Sequence, residues 1–125
     1  MTKLQLHKIH SDKRGDIYNI SEDLKEFEEV VIFTCKKGFA RGGCIHNKND
    51  EYCVVIEGCI RYYIGNKPYP TVLGSGDRVR IPKRTSHYFI ALKDSIVMEW
   101  GATKEEKLEK HPGTRKIVEE INEKN

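Results

Sequence analysis

Gly38 to Gly58, GFARGGCIHNKNDEYCVVIEG, is the stretch on which the reading of this chain turns. Successive side chains on a strand point to opposite faces, so Cys44 and His46, two residues apart, are expected to look the same way, with Ile45 between them looking the other. The polar run Asn47-Lys48-Asn49-Asp50 reads as a turn. Glu51 then opens an apolar strand, Tyr52 to Ile56, which Glu57-Gly58 closes. Paired as a hairpin, the two strands bring a thiol, an imidazole and a carboxylate together on one wall of a small β-barrel. His87 opens a later strand, after Pro82-Lys83-Arg84-Thr85-Ser86, and is expected to face the other three across the interior. Cys44, His46, Glu51 and His87 therefore form a candidate ligand set for a divalent transition metal. The donors are borderline-soft and leave zinc, iron, nickel, manganese and copper all open.

Working outward from this stretch, short apolar runs dominate the middle of the chain. Strands are expected over Glu29–Thr34, Arg41–His46, Glu51–Glu57, Cys59–Ile64, Arg78–Ile81, His87–Leu92 and Ser95–Trp100, with Gly, Pro, Asn and Asp clusters between them. Many short strands at regular spacing argue for an all-β antiparallel sandwich or barrel. Upstream, Asp12-Lys13-Arg14-Gly15-Asp16 reads as a turn joining two edge strands. Ser21 to Phe27 reads as a helical turn with Ser21 as its N-cap. Downstream the composition changes: Thr103–Lys110 and Pro112–Lys124 are polar and helix-prone. Ile117, Val118 and Ile121 make a short apolar stripe, which predicts a C-terminal helix laid on the outside of the barrel or across a partner subunit. At 125 residues the chain has room for one core. The expected organisation is a single domain over 1–125, with a barrel core over about 29–101 and a helical extension over about 103–124.

The central stretch resembles the first motif of the cupin family: Gly, five residues, His-x-His, three or four residues, Glu, six residues, Gly. Here it reads Gly38, five residues, Cys44-Ile45-His46, four residues, Glu51, six residues, Gly58, with Cys44 in place of the first His. The family's second motif, Gly, five residues, Pro-x-Gly, two residues, His, three residues, Asn, is similar to the run from Gly76 through Pro82 and His87 to Ala91. There Arg84 replaces the inner glycine and Ala91 the asparagine. The resemblance implies an antiparallel double-stranded β-helix, or jelly-roll barrel, with a metal in its lumen. Asp12-Lys13-Arg14-Gly15 and Arg41-Gly42-Gly43-Cys44-Ile45-His46 also look like a pattern of cupins that isomerise or epimerise nucleotide-linked keto-sugars. That resemblance implies proton abstraction beside a carbonyl by a His and its return by a Tyr or second His, for which His46 and Tyr63 are the candidates here.

Alternation on the remaining strands is expected to point Arg61 and Tyr63, Phe89 and Ala91, and Met98 and Trp100 inward. Arg41, Arg61, Phe89 and Trp100 are then candidate substrate contacts, and the planar fork of Arg41 suits a phosphate or carboxylate. Lys and Arg total 22 against 19 Asp and Glu, a net charge of +3 spread along the chain, so there is no footprint for nucleic acid. No apolar run approaches a membrane span, and the N-terminus lacks the apolar core of a signal peptide, so a cytoplasmic protein is expected. Cys35, Cys44, Cys53 and Cys59 are expected as free thiols, with Cys53 most simply a small buried hydrophobe. Exposed strand edges predict a homodimer. Three functions remain open: a metal-dependent isomerase or epimerase of a small carbohydrate or sugar nucleotide, an iron-dependent dioxygenase, and a binding protein without turnover.

Overall fold

The structure is a computed structural model, and residues 7–19, 29–65, 67–103 and 109–125 are described. Ten strands and one helix follow in order: β1 (His7–Asp12), β2 (Gly15–Asn19), β3 (Val31–Cys35), β4 (Ala40–Cys44), β5 (Glu51–Glu57), β6 (Cys59–Ile64), β7 (Thr71–Gly74), β8 (Arg78–Ile81), β9 (His87–Ala91), β10 (Ser95–Trp100) and α1 (Pro112–Glu123). Every strand pairing is antiparallel. One sheet runs β1-β2-β3-β10-β5-β8 and the other β4-β9-β6-β7. Sequence neighbours such as β3 and β4, or β8 and β9, thus lie in different sheets, and the chain crosses repeatedly between two walls, as a jelly roll does.

The core lies between the walls. Val31, Phe33 and Cys35 on β3, Cys53 and Val55 on β5, Ile60 and Tyr62 on β6, Phe89 and Ala91 on β9 and Val97 on β10 occupy alternating positions and form one cluster. Cys53 is fully buried there, and none of the four thiols is in a disulfide. Period-2 alternation explains this: each strand turns one face inward, and burying each large apolar side chain stabilises the fold by roughly 2 kcal/mol.

Several expectations need correcting. Thr71–Gly74 carries only two strongly apolar residues between turn signals, yet forms β7 against β6. β4 ends at Cys44 rather than His46. On α1 the inward residues are Thr114 and Val118, whereas Ile117 is 42% exposed. The helical turn expected over Ser21–Phe27 lies outside the described residues, as does most of Thr103–Lys110. Of the latter, Lys110 bridges to Cys44 in extended pairing.

α1 has a definite job in positioning the site. β4 is the edge of the smaller sheet, and α1 with its approach covers that edge. The Asn122 side chain accepts from the Ala40 N–H at 2.8 Å and donates to the Ala40 carbonyl at 3.0 Å. Arg115 donates to the Gly42 carbonyl at 2.9 Å, and the His111 N–H to that of Gly43 at 2.8 Å. An otherwise unpaired strand backbone is thereby satisfied.

Candidate metal centre

Each donor reaches the lumen by a different route. Glu51 is the first residue of β5 and, in phase with Cys53 and Val55, is only 1% exposed. His87 opens β9, in phase with Phe89. His46 follows β4, its carbonyl held by the N–H of Arg84 at 2.6 Å, and is buried as well. One carboxylate oxygen of Glu51 stands 3.2 Å from His87 Nε2 and the other 3.4 Å from His46 Nε2. The two imidazoles are 5.1 Å apart at their centres and tilted by 52°. One donor atom from each of the three residues lies within 4.8 Å of the others.

This set fits a divalent transition metal. Donors about 2.1 Å from a common ion stand roughly 3.0–3.4 Å apart, close to the two carboxylate–imidazole separations. His87 Nδ1 lies 3.1 Å from the Thr85 carbonyl, which can only accept. In the neutral ring the proton is therefore on Nδ1, and Nε2 has a lone pair to offer an ion in the lumen. Burial alone would lower the pKa of His87, but the hydrogen bond and charge of Glu51 outweigh it, with Glu99 adding, and the imidazole stands above its ordinary value.

Cys44 does not join the three. The β4–β9 register shifts between Gly42 and Cys44, where Gly42 and Gly43 both take positive φ. A Cβ on Gly42 would come within 2.8 Å of the Tyr88 backbone, so only glycine fits the irregularity there. The bulge shifts the phase of Cys44 on β4, and the strand ends at that residue, so the two-residue alternation that was to align Cys44 with His46 does not run on to His46. Cys44 lines the same cavity, with Lys110 Nζ 3.9 Å from its sulfur, but stands outside the ligand group.

A cavity of about 430 Å³ opens in front of the centre. Phe33, Phe89 and Tyr62 form its aromatic wall, and beyond the ligand group Arg41, Glu29 and Glu99 are its buried charges. Tyr62 donates to Glu99 at 3.1 Å; burial, reinforced by the Glu99 carboxylate, pushes the phenol well above its usual pKa and keeps it protonated. Arg41 donates through Nε and Nη2 to the Thr34 carbonyl at 3.1 and 3.0 Å, its guanidinium 5.5 Å above the Phe33 ring. Of the expected substrate contacts, Arg41 and Phe89 line this cavity. Arg61 and Trp100 do not, and neither does Tyr63. Arg61 and Tyr63 share the opposite face of β6, where Tyr63 stacks on Tyr88 at 4.7 Å. Trp100 stacks on Tyr52 at 5.6 Å on the outer face of the larger sheet.

On both strands the inward phase is one residue away from the one expected, which puts Tyr62 and Glu99 in the lumen instead. A signal for β6 was present: an inward Arg61 would bury a charge, whereas Ile60, Tyr62 and Ile64 bury mostly carbon. For β10, pairing settles the phase, because Glu99 lies opposite Cys53 and Val97 opposite Val55 on β5.

Residues 31–103 match the family model of the cupin domain. The chain belongs to the cupin family. Comparison with curated proteins gives no match. Among solved structures this cupin is similar to the plu4264 protein of Photorhabdus luminescens, at 18% identity and a TM-score of 0.66 over 95% of this chain and 97% of that one. It is also similar to a sugar phosphate isomerase of the cupin superfamily from Silicibacter pomeroyi, at 14% identity and a TM-score of 0.64 over 73% of this chain and 60% of that one. A third likeness is to Bacillus subtilis oxalate decarboxylase, a protein with Mn(II) centres, at 21% identity and a TM-score of 0.65; it covers 78% of this cupin but only 27% of the decarboxylase chain. At such identities the likeness is one of fold. Among the described residues no helix of this cupin is long and apolar enough to cross a membrane.

Proposed function

We propose that this cupin is a metal-dependent isomerase or epimerase of a small carbohydrate or sugar nucleotide. The observation that carries the reading is the buried His46–Glu51–His87 group facing a cavity that also holds a hydrogen-bonded phenol and carboxylate. A volume of about 430 Å³ is in the range of small-molecule sites and suits a single sugar unit. His46 and His87, through Nε2, and the Glu51 carboxylate would hold the ion. Bound there, a divalent ion supplies Lewis-acid polarisation of a carbonyl and stabilises the negative charge left when a neighbouring C–H loses its proton.

The remaining chemistry belongs to the chain. His46 is committed to the ligand group, so the acid–base role passes to the pair in the lumen. Glu99 would take a proton from the carbon beside the carbonyl and Tyr62 would return one, either to the same carbon or to its neighbour, the proton on Glu99 then passing along their 3.1 Å hydrogen bond to restore the phenol. Phe33 and Phe89 exclude water from that face.

The test is turnover of keto-sugar phosphates and keto-sugar nucleotides followed by NMR in deuterated water, with chelated and with Mn(II)-reloaded protein. We expect solvent deuterium at the carbon next to the carbonyl only in the reloaded protein, and its loss in Glu51→Ala and His87→Ala together with stoichiometric metal. Equal exchange in all preparations would exclude the centre from the reaction. One observation favours a second reading: two histidines and one carboxylate are the donor set of non-haem Fe(II) oxygenases. Substrate-dependent oxygen uptake by the Fe(II)-loaded protein, without deuterium exchange, would select it. Tight sugar binding with neither reaction would leave a binding protein.

A further inference from the structure

Among the described residues Arg41 is the only lysine or arginine that is buried, at 4% exposure. Its hydrogen bonds to oxygen among those residues go to a single acceptor, the Thr34 carbonyl, through Nε and Nη2; the Cys35 thiol lies beside it, and Nη1 has no oxygen partner there. No carboxylate lies within ion-pair distance of it there; Asp12 and Glu99 act on it only through space, the first bound to Arg14 and the second engaged by Tyr62. A neighbouring cation, Arg14, adds like charge, and the counter-charge of Arg14 is its own partner Asp12 at 2.6 Å. A buried guanidinium facing only a neutral carbonyl and a neutral thiol is an incomplete arrangement: desolvation of the charge is offset only when an anion sits beside it. The cavity wall as a whole has four cationic side chains against three carboxylates, one of which belongs to the ligand group.

Register fixes where such an anion would sit. On β9 the partner of Arg41 is Phe89, and the partner of Cys44 is His87. Phe89 and His87 are two residues apart on one face, about 7 Å along the strand, the span of one sugar ring. A ring with its anionic substituent at Arg41 therefore presents its far end to His46, Glu51 and His87.

We propose that the substrate of this cupin is a sugar bearing a carboxylate or a phosphate, seated by Arg41 Nη1 at the opposite end of the cavity from the metal centre. The inference rests on the carbohydrate reading given above and narrows it to anionic sugars. Hydrogen bonding to Thr34 alone does not call for arginine; a forked, permanently charged donor with one amine to spare is what a carboxylate or phosphate recognises.

Calorimetric titration of the chelated, metal-free protein tests this with galacturonate against galactose, and glucose 6-phosphate against glucose. We expect at least one anionic sugar to bind about tenfold or more tightly than its neutral counterpart, the worth of one charge-assisted hydrogen bond. Arg41→Met should abolish the preference, and Arg41→Lys should restore part of it. The pair that shows the preference assigns carboxylate or phosphate. If Arg41→Met fails to fold, the ¹⁵N resonance of Arg41 Nε in the wild-type protein is the readout, and it should move with the anionic sugar and not with the neutral one. Anionic and neutral sugars binding within twofold of each other in both pairs, or a preference surviving in Arg41→Met, overturns the proposal. Because no ion is present, an anion preference in a protein that later takes up no metal keeps Arg41 in this role and removes the metal centre. Metal uptake without the preference does the reverse.

Discussion

Arg84 stands at φ 64, the one non-glycine residue in the left-handed region among those described. It occupies the position where the second cupin motif has glycine, and the backbone still adopts what that glycine would adopt. The turn is needed because its N–H holds the His46 carbonyl. An L side chain in this region carries a steric cost of the order of 1 kcal/mol, partly offset by the greater chain entropy that glycine loses on folding. Arg84→Gly is therefore expected to raise the melting temperature by about 1–3 °C, measured by thermal unfolding. An unchanged or lower value would mean that the arginine side chain contributes more than its backbone costs. The same residue shows what was legible in the sequence. Glu51, His46 and His87 could be read because motif spacing survives substitution at Cys44, Arg84 and Ala91. Tyr62 and Glu99 could not be read from alternation alone, which fixes the period of a strand but not its phase; cross-strand partners set that. The exclusion of Cys44 from the ligand group was hidden for a related reason, since both the bulge after Gly42 and the end of β4 at Cys44 depend on how β9 pairs with it.

At the scale of elements, α1 acts as a substitute strand for β4. The Asn122 side chain mimics a peptide group, meeting both the N–H and the carbonyl of Ala40, while Thr114 and Val118 bury against the sheet. Asn122→Ala leaves a backbone donor and acceptor unpaired in a part-buried place, at a cost of about 1–3 kcal/mol, equivalent to a fall in melting temperature of about 3–10 °C. Denaturant unfolding checks this: a loss under about 0.5 kcal/mol would show that water serves the edge as well. The existence of this helix was legible from Pro112 and the polar, helix-prone composition. Its inward face was legible only in part: Val118 is buried as expected, but Ile117 is more apolar than Thr114 and only docking on β4 decides between them. The strands of both motifs were placed to within about two residues. β7 was missed, since a four-residue strand between Pro70 and Gly74 leaves too short a pattern to count.

For the whole molecule, the candidate metal centre would link folding to both metal and proton. In the metal-free protein His87 stands above its ordinary pKa because Glu51 favours the protonated ring. That interaction stabilises the fold in full below the unfolded imidazole value, about pH 6.5, and is lost as pH rises through the folded value. Metal binding needs the opposite state, with Nε2 stripped of its proton. The two effects therefore have opposite slopes: acid favours the empty fold, and alkali favours the loaded one. At a free-ion concentration 100-fold above the dissociation constant, binding adds about 2.7 kcal/mol, or of the order of 10 °C in melting temperature for a chain of this size. Scanning calorimetry with and without Mn(II) should show that increment near pH 8, and a clearly smaller one near pH 6. In His87→Ala the increment should shrink and keep only the pH dependence that His46 supplies. An increment equal at both pH values in the wild-type protein, or unchanged in the variant, would place the bound ion elsewhere. The centre, with Tyr62, Glu99 and Arg41 around it, would then have to be read as a metal-free pocket.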